Sequence, residues 1–537
     1  MTETPVLIAG GGPIGLLVAI EMHNRGVTSL LVERGLEPTA FPKMDITNVR
    51  SMEHFRRLGI AEDVWKIAVP ADHNFDVVYC SRHNEWELAR FPYASPDDMR
   101  ALSRARNDGT RSAEPYMRLA QSKLERLLRD KVDASPVVEA RWGCELVTLE
   151  QDARGVTSTI RSCESGEQER VRSQYVCGCD GGSSAVREAL GIPLVGEFNI
   201  GRLYMIHFRS TDLGLLQRFG QSWHVQSPTC TLIAQNDVDE WTAHIGLPPG
   251  SDENQLDPRS KLVEALGEEF DFEVLLASLW SPHLVTAARY GQGRVWLAGD
   301  SAHQLIPTGG YGMNTGVVDA ANLAWKVAAA VQGWGGQTLL DSIDAEQRPV
   351  GVRSVRGSRI NVGVRGEIQV VYLTRYLGIH EDSDEGTRQR RELGRKILDL
   401  GNEENESFGL ELGHSYWDSP VVFQEGWRPE DPKVSYAPTT MPGYRLPHLF
   451  VAGRPVYDLL GSGFTLLCLS EGLDVSAFEK AAQERSVPLA VVQLRDANAR
   501  KVYERDLILV RPDHHVCWRD NAMPFDAGFV LDRVRGI

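Results

Sequence analysis

The sequence lacks three features that would place it in common protein classes: paired cysteines, long apolar runs and an excess of basic residues. Its eight cysteines are scattered and form no Cys-x-x-Cys pair, which argues against a zinc site or a dithiol redox centre. We expect buried, reduced thiols and no metal. With 57 basic and 73 acidic residues the net charge is −16, which disfavours nucleic acid as a partner.

No segment approaches the ~18 apolar residues of a membrane span, so no membrane association is expected. The apolar run near the N-terminus has no basic leader and is broken by Gly10, Gly11, Gly12 and Pro13, which is atypical of a signal peptide. A reducing cytoplasm is the expected location. The 537 residues suggest roughly three domains, and 42% apolar with 24% charged residues is typical of a globular protein.

The segment PVLIAGGGPIGLLVAIEMHNRGVTSLLVERG predicts a strand, a tight turn, a helix over about 13–25 and a second strand. Gly10, Gly12 and Gly15 form a G-x-G-x-x-G turn, and the second strand ends in Glu33. Such glycines let the backbone approach a pyrophosphate, the helix N-terminus attracts its charge, and the acid accepts from ribose hydroxyls. The sequence therefore predicts a dinucleotide site that includes Glu33 and Arg34, and the motif itself fits NAD and FAD equally.

Two further glycine and acid motifs follow apolar strands. CDGGSSAVREALGIP carries Asp180 and Arg187, and GDSAHQLIPTGGYGMNTGVVDAANLAWK runs from Gly299 to Lys326. The second continues into a helix whose apolar residues recur at i, i+3 and i+4. Taken alone, each Asp-Gly or Gly-Asp pair is typical of a turn.

In this order, the three motifs resemble those of the class A flavoprotein monooxygenases, the para-hydroxybenzoate and phenol hydroxylase superfamily. The segments YMRLAQSKLERLL and LLDSIDAEQRPV match further elements of that family, so the resemblance covers most of residues 1–360. It implies FAD as the cofactor. It also implies that Asp300 holds the ribityl chain and that the helix beginning near Gly312 directs its N–H groups at the flavin, where a helix N-terminus favours negative charge.

The resemblance assigns further positions to the cofactor and one to the reaction. Asp180 and Arg187 are linked to both FAD and nicotinamide binding, and Pro307 is placed beside the reacting ring. His303 is expected to be structural. The other cofactor positions that it implies are Arg118, Gln121, Gly310, Met313 and Asn314.

After about residue 430 the pattern changes to alternating strands and helices, and LILVRPDHHVCWR resembles the thioredoxin-like C-terminal domain of the larger family members. The implied fold is α/β: a Rossmann-like FAD-binding domain, an inserted antiparallel-sheet substrate domain and a thioredoxin-like domain. Without a Cys-x-x-Cys pair, the last domain is expected to be structural or to form a homodimer contact. His514 and His515 are expected to be solvated in a turn.

The predicted boundaries are 1–75, 100–190 and 288–360 for the FAD domain, 76–99 and 191–287 for the substrate domain, 361–430 for a helical connection and 431–537 for the thioredoxin-like domain.

The absence of a second G-x-G-x-x-G unit agrees with the family's transient use of NAD(P)H. The resemblance implies that O2 then forms a flavin C4a-hydroperoxide, which hydroxylates an aromatic ring. A phenol with a pKa near 10 needs a base to ionise at neutral pH. In Lys43-Met44-Asp45, Asp45 matches a catalytic acid of phenol hydroxylases, and the alternative is a solvated or capping aspartate. Arg50 and Glu53 are expected to form a surface ion pair.

The substrate is the least determined part of the prediction. Trp223, His224 and Trp241 are candidates either for the pocket or for ordinary sheet packing. The sequence favours a small monocyclic phenol, hydroxylated ortho to its hydroxyl, and the alternative is a polycyclic aromatic polyketide. A hypothesis from another class is a flavin-fold protein that binds a partner without catalysis.

Overall fold

The computed structural model describes residues 1–43, 45–236, 238–248, 250–252, 255–374, 376, 378–430 and 432–537. Its first sheet has eight strands, of which five neighbouring strands run parallel. The strand order is Gly291–Gln292, Val295–Leu297, Gln168–Gly178, Thr2–Ala9, Ser29–Glu33 and Val138–Trp142. Gly155–Ser162 pairs antiparallel with Gln168–Gly178, and Cys144–Asp152 pairs antiparallel with Gly155–Ser162.

Three helices cover one face of this sheet: Pro13–Asn24, Gln121–Asp133 and Tyr311–Val331. Their apolar faces form one buried cluster with the central strands. Parallel strands of this kind place all three glycine and acid motifs at the same carboxyl edge, which is where an open α/β sheet binds ligands.

A second sheet of seven strands lies in the middle of the chain. Its order is Glu273–Trp280, Leu203–Arg209, Glu240–Gly246, Cys230–Ala234, His224–Gln226, Val77–Cys80 and Glu87–Phe91. Every pair is antiparallel except His224–Gln226 with Val77–Cys80. Smaller sheets join Ile46–Thr47 to Met117–Arg118, and Leu284–Ala287 to Leu194–Glu197 and His303–Gln304.

A 38-residue helix, Gln337–Thr374, runs from the first sheet to the second and contains Pro349. The helix Asp384–Leu400 lies against it and against the strand Glu87–Phe91. The shorter helices are Val49–Arg57, Ala61–Ile67, Pro96–Arg106, Ala185–Ala189, Leu213–Leu216, Pro258–Leu266 and Phe408–Leu412, with 3-10 turns at Gly299–Ser301 and Val456–Leu459.

The C-terminal region has a four-stranded sheet in the order Leu489–Gln493, Phe464–Cys468, Leu507–Val510 and Val516–Asp520, in which the first pair is parallel. The helices Ser476–Glu484, Ala497–Tyr503 and Ala527–Val534 accompany it, and Phe450–Val451 pairs with Arg454–Pro455. The predicted fold class is confirmed, whereas the exact domain boundaries stay predictions. In the described ranges, no helix combines the length and apolar character that crossing a membrane requires.

Two local predictions are wrong because the residues concerned are buried where the C-terminal region packs against the rest of the chain. Arg50 and Glu53 form an ion pair that is 1% exposed at both ends, not a surface pair. Arg50 also donates to the carbonyl of Asp513, and Glu53 accepts from Arg445, both across the domain contact. His514 and His515 are buried, and His515 lies against the Tyr416 ring at 4.1 Å.

Candidate active site

The turn at Gly10 is built for close backbone approach. Gly10 has φ of +101°, and a Cβ there would lie 2.2 Å from the carbonyl oxygen of Cys179. Gly12 differs, since a Cβ there would meet no described atom within 4 Å. Gly12 also begins the helix Pro13–Asn24, whose first N–H groups receive no side-chain cap from the described residues. An open space therefore faces uncapped helix N–H groups, which is the arrangement that binds a phosphate.

The Glu33 carboxylate is fixed beside this turn. Its two oxygens accept from the backbone N–H groups of Gly11 at 2.6 Å and Gly35 at 2.7 Å. Each carboxylate oxygen keeps a second lone pair that can accept a ribose hydroxyl. Arg34 follows and is exposed.

Asp180 and Arg187 brace the second loop from within the protein. Asp180 accepts from the Ser184 hydroxyl at 2.5 Å, and burial raises the pKa of its carboxyl. The Arg187 guanidinium donates to the carbonyls of Gly182 and Ser301, each at 3.0 Å. Arg187 thus connects the loop at Gly182 to the turn at Ser301. Both the Asp180 and the Arg187 side chains hydrogen-bond groups of these loops.

Asp300 lies at that junction and is exposed. The neighbouring Ser301 hydroxyl donates to the Gly178 carbonyl at 2.6 Å, which fixes the turn to the end of a central strand. Below the turn, Asp319 accepts from the Gly299 N–H and from His303 Nε2, both at 2.9 Å. Burial opposes a charge on His303, but Asp319 outweighs it and the pKa of His303 is raised. The structure places His303 in this buried pair.

The helix Tyr311–Val331 begins at Gly310, again without a side-chain cap from the part of the chain that the structure describes. Gly310 has φ of +64°, and a Cβ there would lie 2.3 Å from Ile46 Cγ2. A Cβ at Gly312 would meet no described atom within 4 Å, so the first helical turn borders open space. Met313, in contrast, is 9% exposed and belongs to the apolar cluster under the sheet.

Asn314 connects this helix start to the segment that carries Asp45. Its Nδ2 donates to the carbonyls of Ile46 at 3.0 Å and Gly310 at 2.6 Å. Its Oδ1 accepts from the Asn48 N–H at 2.9 Å and the Ser51 hydroxyl at 2.6 Å. One amide therefore sets the position of two site segments relative to each other.

The other side of the Asp45 segment is held by the strand that carries Arg118. The N–H of Leu119 donates to the Asp45 carbonyl at 2.9 Å, and that of Gln121 to the Pro42 carbonyl at 3.0 Å. The Arg118 side chain hydrogen-bonds the Ala234 carbonyl in the second sheet. The Gln121 amide donates to Glu125 at 2.6 Å.

A cavity of about 670 Å³ lies between the second sheet, the Asp45 segment, the loop 306–308 and the helix Gln337–Thr374. It brings together Asp45, Pro307 and His224. Trp223 does not line the cavity, but its indole N–H hydrogen-bonds Asp45. Trp241 is 2% exposed in the apolar core on the sheet, away from the lining.

Asp45 and His224 form a buried acid and imidazole pair. His224 Nε2 lies 3.6 Å from Asp45 Oδ2, and His224 is 8% exposed. Burial favours a protonated Asp45, but His224, the Trp223 N–H and Arg118 outweigh it, so the pKa of Asp45 is lowered. Asp45 is therefore an anion at neutral pH. Met44, of the same predicted segment, lies outside the described residues.

The sequence reasoning missed a polar row on the cavity floor. Tyr79, Gln226, Thr231 and His244 stand directly opposite one another on four adjacent strands. The Thr231 hydroxyl donates to Gln226 Oε1 at 2.6 Å. The alternation of the strands could have indicated each residue singly, but not their alignment.

Arg365 faces this row from the helix Gln337–Thr374. Its guanidinium pairs with both oxygens of Glu404, at 2.7 and 2.8 Å, and its Nη1 lies 3.5 Å from the Thr231 hydroxyl. Arg365 lies within residues 361–430, for which the sequence predicts only a helical connection.

Family models and relatives agree with this architecture. Residues 3–358 match the FAD binding domain family, and residues 439–535 match the C-terminal domain of aromatic-ring hydroxylases. The FAD-dependent monooxygenase apdD of Emericella nidulans is 36% identical over 96% of this chain and 88% of its own length. A phenol 2-monooxygenase of a Pseudomonas strain is 29% identical over 98% of this chain and 91% of its own.

Solved structures match over the whole chain. The rebeccamycin biosynthetic enzyme RebC with reduced flavin superposes with a TM-score of 0.88 at 31% identity, covering 100% of this chain and 99% of RebC. Aklavinone-11 hydroxylase in a complex with FAD and aklavinone superposes with a TM-score of 0.82 at 26% identity, covering 99% of each chain.

Proposed function

The chain belongs to the FAD-dependent aromatic-ring hydroxylases, and we propose that it hydroxylates a fused polycyclic phenol with NAD(P)H as reductant and O2 as oxygen donor. The observation that carries this proposal is a cavity whose lining joins Asp45 and Pro307 to a long polar row. When bound, FAD supplies the redox chemistry: it accepts electrons from NAD(P)H and passes one atom of O2 to the ring, the other leaving as water.

The residues present fit FAD. The open space at Gly12 and the uncapped helix behind it suit the pyrophosphate, and the anchored Glu33 suits the adenosine ribose. Asp300 is exposed to accept from the ribityl hydroxyls. The start of the helix Tyr311–Val331 has room at Gly312 and uncapped N–H groups, which favour the negative charge of a reduced flavin.

The cavity supports the polycyclic alternative over the monocyclic phenol that the sequence favoured. Its volume lies within the range of about 300–1,000 Å³ that holds drug-sized ligands. Neighbouring strands are about 4.8 Å apart, so the four residues of the polar row span about 14 Å. A single ring at Asp45 would leave most of that row in contact with water alone.

The protein's part in the reaction is to orient the ring, exclude water and take up a proton. The polar row and Arg365 offer hydrogen bonds to oxygens on the far rings. A phenolate attacks an electrophilic oxygen better than a phenol, so the ring nearest Pro307 must lose its hydroxyl proton to the Asp45 and His224 pair.

The size of the substrate is tested by comparing two probes with the FAD-loaded enzyme. We expect 2-hydroxyanthraquinone to stimulate NADPH oxidation and to gain one oxygen atom, read by mass spectrometry, whereas 4-nitrophenol stimulates little. A Thr231→Val substitution should raise KM for the large probe and leave that for the small one unchanged. Equal or better coupling with 4-nitrophenol would overturn the polycyclic assignment. A colourless protein that takes up no FAD would leave the non-catalytic hypothesis in place.

A further inference from the structure

His224 is a buried imidazole on the cavity wall, beside Asp45. Neither of its ring nitrogens has a hydrogen-bond partner among the described residues, and the residue is only 8% exposed. Its Nε2 lies 3.6 Å from Asp45 Oδ2. Its ring lies 4.0 Å from that of Trp223, centroid to centroid, which limits its rotation.

We propose that His224 is the residue that accepts the substrate's hydroxyl proton, and that Asp45 is a positioning residue that orients the imidazole and stabilises its charged form. This inference rests on the proposed function. It replaces the prediction in which the Asp45 carboxylate itself takes the proton.

The proton transfer is balanced within the cavity. The substrate O–H bond breaks, its electron pair stays on oxygen as phenolate, and an N–H bond forms on the imidazole nitrogen that does not face Asp45. The resulting imidazolium directs its Nε2–H at the Asp45 carboxylate, the arrangement in which a carboxylate supports a histidine base. The proton returns to the product oxygen when the product leaves.

Asp45 is poorly suited to be the acceptor itself. Its carboxylate already accepts from the Trp223 indole and lies near Arg118 and His224, all of which favour its charged form. A carboxylate with a lowered pKa is a weak acceptor for the proton of a phenol, whose own pKa is near 10.

Other ionisable groups near His224 come from each neighbouring element. They are Lys43 and Asp45 in the segment below it, Tyr79 and His244 on the sheet, Arg118 beside Asp45, Arg365 on the long helix and Glu404 behind it. Burial lowers the pKa of His244 to about 4, despite Asp45, so His244 is a weaker competitor for the proton. Glu404 is engaged by Arg365.

The test measures the ionisation of bound 2-hydroxyanthraquinone, which changes colour on losing its proton, in the oxidised FAD enzyme without NADPH. In the wild type, we expect the phenolate to form at a pH below that of the free probe. In His224→Asn, this shift should vanish, raising the midpoint by about one pH unit or more, a tenfold change in the ionisation constant. In Asp45→Asn, the shift should be reduced but still present.

His207→Asn is the matched control, since His207 is also 8% exposed on the same sheet but hydrogen-bonds Trp241 O away from the cavity. It should leave the shift intact. A shift that survives in His224→Asn and disappears in Asp45→Asn would overturn the inference. If His224→Asn takes up no FAD, His224→Gln serves in the same comparison. A wild type that ionises the probe but yields no oxygenated product would contradict the proposed function and leave the proton assignment standing.

Discussion

Gly10 and Gly12 are glycines for two different reasons: packing requires a glycine at position 10, and cofactor binding is expected to require one at position 12. A Cβ at Gly10 would strike the backbone of Cys179, so Gly10 is needed for the fold itself. Gly12 has φ of −70° and open space in place of a Cβ contact, so an alanine there costs the fold little. The space matters only if a cofactor phosphate fills it.

We therefore expect Gly12→Ala to keep the melting temperature of the FAD-free protein and to weaken FAD binding by about tenfold or more, which is about 1.4 kcal/mol. Fluorescence titration with FAD measures this. Gly363→Ala is the control, because Gly363 also has open space in place of a Cβ contact but lies on the helix Gln337–Thr374. An unchanged FAD affinity in Gly12→Ala would show that the pyrophosphate lies elsewhere.

At the residue scale, the sequence indicates position most directly where the motif is local. The placement of Gly10, Glu33 and Asp300 at one sheet edge follows from short strand and turn patterns. The same reasoning failed for Arg50 and His515, because the residues that bury them are separated from them by hundreds of positions along the chain, or belong to another domain. Local pattern carries no information on what covers a turn.

The start of the helix Tyr311–Val331 is positioned by side-chain hydrogen bonds rather than by packing alone. Asn314 satisfies four groups of the neighbouring segments at once. Removing it leaves those buried groups unpaired and frees the Asp45 segment to shift relative to the helix.

We expect Asn314→Ala to lower the free energy of unfolding by about 1–3 kcal/mol, the cost of unpaired buried polar groups. It should also raise the fraction of NADPH electrons lost to hydrogen peroxide, because the proton acceptor and the flavin-facing helix lose their register. Asn498→Ala is the control, since Asn498 makes an exposed hydrogen bond to Asn107 O. Tight coupling in Asn314→Ala would mean that the contact only stabilises the fold.

At the element scale, the sequence predicted the strands and helices better than their alignment. The stretch around Trp241 was correctly expected to form part of an antiparallel sheet. The polar row from Tyr79 to His244 depends on the register of four strands that come from distant parts of the chain. Register is set by packing across the sheet, so no single segment could have indicated the row.

Across the whole molecule, a buried ionic cluster joins the C-terminal region to the FAD-binding domain. Glu346 accepts from both Arg511 Nη groups at 2.7 Å and from Lys326 at 2.5 Å, and all three side chains are fully buried. Lys326 lies on the helix whose start borders the flavin site. The C-terminal region therefore supports that helix through Glu346.

We expect Glu346→Gln to cost about 3–5 kcal/mol of unfolding free energy, since it leaves the buried Lys326 ammonium without its carboxylate partner and Arg511 with Asp513 alone. Chemical denaturation measures this. Glu385→Gln is the control, because Glu385 pairs with Arg388 on the surface and should leave the unfolding midpoint close to that of the wild type. Equal effects of the two substitutions would contradict the role of the buried cluster.

The same cluster predicts how stability depends on pH. Burial would raise the pKa of Glu346, but Arg511 and Lys326 outweigh it and lower the pKa to about 2. The native state therefore binds fewer protons than the unfolded chain between the ordinary Glu pKa and about 2. The stabilisation is present above the ordinary value and is lost as the pH falls towards 2. The wild type should lose stability over this range more steeply than Glu346→Gln.

The central claim is that this FAD enzyme inserts oxygen into an aromatic ring bound between Asp45 and the polar row. Its most direct test is turnover of phenols with NADPH under isotopically labelled oxygen gas, read by mass spectrometry. We predict that 2-hydroxyanthraquinone gains one labelled oxygen atom in proportion to the NADPH consumed. NADPH oxidation that yields only hydrogen peroxide, with no labelled product from either polycyclic or monocyclic phenols, would contradict the claim.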